Sequence, residues 1–120
     1  MVGAGVDFGK LRTQSLKQTW WGFSVTAKED ATYSAGIFEV QGRQLSEGGR
    51  EAIVKALTGK GGAKPELTAK NKINAYWSPI VRFPSKRLDR GNYVYGIKVN
   101  AAMNPDRTKV FVSRPFQVGK

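Results

Sequence analysis

The run from Tyr93 to Ala101 decides most of what this chain can become. Tyr93, Tyr95, Ile97, Val99 and Ala101 fall on one side, and Val94, Gly96, Lys98 and Asn100 on the other. A period of two is the mark of a strand with one buried face, and a helix cannot satisfy it. Such a strand has no stability alone, so it requires a sheet and a second layer to cover its apolar side. Other stretches supply both. Between Thr19 and Ala27, residues Trp21, Phe23, Val25 and Ala27 alternate with Trp20, Gly22, Ser24 and Thr26. Tyr33 to Gln41 reads as a second strand, and the short polar segment Lys28–Thr32 predicts a hairpin between the two. Further on, Ile73, Ala75, Trp77, Pro79, Val81 and Phe83 share one face, opposite Asn74, Tyr76, Ser78, Ile80 and Arg82. Pro79 cannot donate to a ladder, so this strand lies at an edge or breaks there. Val110, Val112, Phe116 and Val118 supply a last strand, with a bulge or edge break expected at Arg114–Pro115.

Only Ser46–Thr58 has the marks of a helix. Ser46 can cap it, Glu47 and Glu51 sit near the positive end of its dipole, and Gly59 suits the left-handed position after its end. Its apolar stripe (Ile53, Val54, Leu57) is too short for an independent helix, so it must pack on the sheet. Gly59–Asn71 reads as a Gly/Lys/Pro-rich loop, Pro84–Arg90 as a basic corner and Met103–Arg107 as a turn. Residues 1–18 read as an arm or an edge strand, and 19–120 as one β-rich domain. The expected fold is mainly β: an antiparallel sandwich or small barrel of about five strands with one short helix near 46–58.

Composition narrows the chemistry. The chain has 120 residues, 40% apolar and 24% charged, which suits one globular domain. It has no cysteine and no histidine. Disulfides, thiolate ligands and the commonest general base are therefore absent, and no nucleophile has an evident partner. The nine carboxylates are scattered over turns and helix ends, and Gly59–Lys64 lacks the phosphate-loop pattern. A non-catalytic role with no cofactor and no metal is expected. Met1–Lys10 has no leader-like apolar run, and no stretch approaches the ~20 residues needed to span a membrane. The cytoplasm or a virion is the expected location.

Charge is the functional signal. The chain carries +11, all of it from residues 53–120, where fourteen basic residues face three acids; residues 1–52 are balanced. A segregated excess marks a face for an anion. The candidate residues are Lys60, Lys64, Lys70, Lys72, Arg82, Lys86, Arg87, Arg90 and Lys98, with Tyr76 able to stack on a base. Lys86, Arg87 and Arg90 form the densest patch, readable as a phosphate clamp or as a corner kept polar against edge pairing. For Tyr76 and Trp20 the alternative to stacking is burial under the helix or the other sheet; Trp21, Trp77, Tyr93 and Tyr95 are assigned to the core.

Asp89-Arg90-Gly91-Asn92-Tyr93-Val94-Tyr95 resembles the D-x-G-x-Y-x-C stretch that opens strand F of immunoglobulin-like domains. The resemblance covers seven residues of 120. It implies a two-sheet sandwich in which the tyrosine, here Tyr93, bonds back to upstream backbone. Tyr95 stands where that family has its cysteine, and the 46–58 helix is not part of a minimal sandwich. The carboxy-terminal strands are also similar to those of small phage single-stranded-DNA-binding proteins, which run Gly-x-Tyr, strand, turn, basic strand.

Two functions fit. One is a nucleic-acid or polyanion binder, single-strand preferring or of low sequence specificity, acting through the basic half and self-associating through the N-terminal half. The other is a structural β-sandwich subunit of a larger assembly, such as a virion or an appendage.

Overall fold

A computed structural model describes residues 3–119. Met1 and Val2 of the expected arm, and Lys120 of the expected domain, lie outside the described residues. The elements are β1 (Ala4–Asp7), β2 (Gly22–Ala27), β3 (Ala31–Val40), α1 (Glu47–Leu57), β4 (Leu67–Ile73), β5 (Ile80–Arg82), β6 (Gly91–Ala101), β7 (Thr108–Val112) and β8 (Phe116–Val118). They form two antiparallel sheets: a three-stranded one ordered β1-β2-β5, and a five-stranded one ordered β4-β3-β6-β7 with β8 also on β6. This is a small β-sandwich with one short helix.

The sandwich follows from alternation. Trp21, Phe23, Val25 and Ala27 of the first sheet face Tyr33, Ile37, Tyr93, Tyr95, Ile97 and Val99 of the second in one buried cluster. Tyr95 sits at its centre, with ring centroids of Phe8, Phe23, Phe83 and Phe116 between 4.9 and 6.2 Å away. Aromatic packing thus ties the sheets together at the position where the immunoglobulin-like resemblance has a cysteine. The resemblance also holds at its other residue. The Tyr93 hydroxyl donates to the Asp89 carbonyl at 2.7 Å, the corner bond expected of that tyrosine.

Several elements depart from the sequence reading. The described strands number eight rather than five. The expected hairpin between 19–27 and 33–41 does not form, because β2 and β3 belong to different sheets. Lys28–Asp30 lacks the glycine that the tight hairpin turns favour. Asp30 instead stitches the sheets: its carboxylate accepts from Ala75 N at 2.9 Å and its carbonyl from Ala102 N at 2.9 Å. The 73–83 run is also two strands. Ile73 ends β4, the chain crosses between sheets through Asn74–Pro79, and β5 begins at Ile80. Alternation therefore fails at Trp77, which is 65% exposed rather than in the core. The loop expected over 59–71 ends early, since Leu67–Ile73 pairs with β3.

The last strand breaks at Ser113–Pro115. Val112 pairs with Gly96 and Phe116 with Tyr93, so four steps on this strand face three on β6, a one-residue bulge. Pro115 has no N–H, and the Ser113 hydroxyl completes the pairing by accepting from Tyr95 N at 2.9 Å.

The helix begins and ends as its sequence indicates. Ser46 Oγ accepts from Gly49 N at 3.0 Å, and Gly59 follows Thr58 with φ of 75°. It lies on the outer face of the five-stranded sheet, where Phe38, Val94, Ile53 and Leu57 form a second buried cluster. Val94 and Gly96 do point away from the main core, yet both are buried because the helix covers them.

Candidate functional site

The helix covers only half of that outer face. The remainder carries lysine. Ser34 pairs with Lys70 on one side and Lys98 on the other, and in the next row Thr32 pairs with Lys72 and Asn100. Because β4 and β6 flank β3, the Cα atoms of Lys70 and Lys98 are about 10 Å apart on one face. A cleft of about 470 Å³ opens here between the helix end and the sheet, lined by Ser34, Thr58, Thr68, Lys70 and Lys98 above an apolar floor.

Two further depressions share Lys70. One of about 410 Å³ adds Asn71 and Lys72. The other, of about 420 Å³, passes over the open edge between the sheets and adds Arg82 of β5. No carboxylate lines any of the three. Among the described residues the ion pair is Arg107 with Glu29, at 3.4 Å, elsewhere on the molecule.

The structure therefore brings together Lys70, Lys72, Lys98 and Arg82. The other sequence candidates are distributed. Lys60 and Lys64 are exposed in the α1–β4 connection, next to Gly59 and Pro65 at the cleft rim. Lys86, Arg87 and Arg90 form a separate corner between β5 and β6. Two of its residues hold the fold: the Lys86 carbonyl accepts from Trp21 Nε1 at 2.8 Å, and Arg90 Nη1 donates to the Gly119 carbonyl at 2.7 Å.

Tyr76 lies in the Asn74–Pro79 crossing, against the end of β2 in the other sheet. The outer face of β1-β2-β5 carries small side chains, Gly5, Gly22, Ser24 and Thr26, beside Asp7, Ile80 and Arg82. Trp20 lies against Gly22 at one end and is 49% exposed. Tyr76, 79% exposed, and Trp77 stand at the other. Tyr76 is the one non-glycine residue at positive φ (65°) among the described residues. Three bonds fix this backbone: Tyr76 N to Ala27 O at 2.7 Å, Ala75 N to Asp30 Oδ1 at 2.9 Å, and Trp77 N to Asn74 O at 3.0 Å. A left-handed tyrosine costs about 1 kcal/mol, and here it presents an aromatic ring to solvent. Lys28 and Lys109 share a depression of about 560 Å³ with Tyr76. Sequence reasoning missed both, because one sits in the charge-balanced half and the other in a strand of ordinary composition.

The titratable groups that depart from their ordinary values are buried tyrosines. Tyr93 is pushed up to about 12, first by burial and then by the charges of Glu39, Glu66 and Asp89. Tyr95 is also pushed up to about 12 by burial, opposed by a hydrogen bond with Gly22 backbone. Both support the fold. Among the described residues no three acidic side chains gather to hold a metal ion, and no helix is long and apolar enough to cross a membrane.

No family model matches the chain, and no curated protein matches it. Its fold is similar to that of one chain in a crystal structure from Acinetobacter baumannii, the CsuC–CsuE chaperone–tip adhesion subunit pre-assembly complex of archaic chaperone-usher Csu pili. The TM-score is 0.51 at 12% identity, over 98% of this chain and 56% of the other. The likeness is thus one of fold, and this chain spans about half the length of the one it matches.

Proposed function

We propose that this chain is a non-catalytic β-sandwich subunit of a larger assembly, of appendage or virion type. The observation that carries the reading is the exposed Tyr76–Trp77 pair, locked in a strained backbone beside an uncovered sheet face of small side chains. Large exposed aromatics grouped on one side of a sandwich mark an interface. The recess of about 340 Å³ over Gly5, Ser24 and Thr26, with Asp7 and Ser78 at its border, leaves room for a ring of a second copy. The fold likeness to a chain found in a pilus pre-assembly complex supports the same reading. An assembly role needs none of the nucleophiles, bases or ligands that this chain lacks. Under this reading the chain acts in an exported appendage or a virion rather than free in the cytoplasm.

Light scattering over a concentration series tests the proposal. A net charge of +11 opposes self-association at low salt. Oligomers are therefore expected to strengthen as salt rises, and Trp77→Ser is expected to weaken them at least ~10-fold. A monomer at every concentration and salt would count against the reading.

A further inference from the structure

We infer a second activity: the band from Lys98 through Lys70 to Arg82 and Trp20 is a track for single-stranded nucleic acid. Three depressions converge on Lys70 and together bring in Lys72, Lys98 and Arg82 with no carboxylate among them. Lys70 and Lys98 face each other across β3 with no carboxylate between them, so the fold tolerates a mutual repulsion that an anion would relieve. Ser34 lies between Lys70 and Lys98, and Thr68 and Asn71 line the same depressions; their hydroxyl and amide groups can bond phosphate oxygens.

The shape of the band selects the ligand. It starts on the outer face of the five-stranded sheet, crosses the open β4/β5 edge and ends on the outer face of the other sheet. The molecule is only 20 Å across its shortest dimension. A duplex, with a persistence length of about 50 nm, cannot bend round such an edge, whereas a single strand can. The end of the band distinguishes nucleic acid from an acidic polypeptide. Arg82 pairs with Gly22, and the Trp20 indole lies on Gly22 half-exposed, a platform on which a base can stack.

Anisotropy with a labelled oligothymidylate or oligouridylate of roughly twelve nucleotides tests this directly. Binding is expected at ~50 mM salt, and about four phosphate contacts give a roughly fifty-fold loss by ~200 mM. The Lys70→Gln/Lys98→Gln double variant should weaken binding by at least ~10-fold at the lower salt, and Lys10→Gln should leave it unchanged. Trp20→Phe should reduce the fluorescence quenching on binding. The same oligonucleotide in duplex form, and a heparin oligosaccharide of equal charge, should bind more weakly. Absence of binding at low salt, an unaltered double variant, or equal binding of duplex or heparin would overturn the proposal. Unchanged thermal melting of the variants shows that the effect is not one of folding. Nucleic-acid binding falls with salt while self-association rises, so failure of this activity and failure of the assembly role are read separately.

Discussion

Gly96 on β6 lies directly opposite Gly36 on β3, and Leu57 Cδ1 of the helix sits 2.9 Å from where a Gly96 Cβ would be. Gly96 is the floor on which α1 rests, while the space over Gly36 is taken by the Phe38 ring. Gly96→Ala forces Leu57 and Ile53 outward, and overpacking of this kind costs about 1–3 kcal/mol. Urea unfolding should show a lower midpoint with an unchanged slope. A midpoint equal to wild type would mean that the helix is not seated as described.

Tyr93 makes the corner bond to Asp89. Tyr93→Phe leaves the Asp89 carbonyl without this donor and should cost about 1–3 kcal/mol at neutral pH. Alkali gives an independent check. The folded-state values of Tyr93 and Tyr95 lie near 12 against 10.0 for an unperturbed tyrosine, so the folded chain holds protons that the unfolded chain has lost. Their contribution is fully present below pH 10 and disappears as pH rises towards 12. Melting temperature should fall steeply across that window, and less steeply in Tyr93→Phe. A flat profile there would contradict the placement of both hydroxyls.

Tyr76 trades stability for an exposed ring. Tyr76→Gly removes the left-handed strain and loses little burial, so it should raise stability by up to about 1 kcal/mol. It should also weaken self-association. A variant that is less stable than wild type would show that the ring supports the fold rather than an interface.

The lysines of the band carry a similar trade. Lys70→Gln or Lys98→Gln should raise the melting temperature slightly at low salt, since neither cation has a carboxylate partner. The difference should vanish above ~0.5 M salt, where the repulsion is screened. A fall in melting temperature at low salt would point to an acidic partner for one of them.

The alternating runs at 21–27, 33–37 and 93–101 were legible in the sequence because one face of each meets the core. The Ser46 cap, the Gly59 stop and the Arg114–Pro115 break were legible because those residue types leave the backbone few alternatives. What alternation could not disclose was the sheet to which a strand belongs. β2 and β3 have the same pattern and a short connection, yet they pair with different partners. Nor could it show that Asn74–Pro79 is a crossing, because Trp77 keeps the period while the backbone turns at Tyr76. The basic excess was visible as a total. Its division between the Lys70 band and the Lys86–Arg90 corner depends on long-range strand pairing that local sequence does not encode.

Hydrogen exchange over a concentration series tests the assembly role most directly. As concentration rises, the amides of residues 74–78, of Ile80 and of Thr26 should gain protection while the Met103–Arg107 turn should not. The gain should disappear in Trp77→Ser. Amides at 74–78 and Ile80 that exchange at the same rate at every concentration, in a chain that nevertheless oligomerises, would place the interface elsewhere and contradict the account.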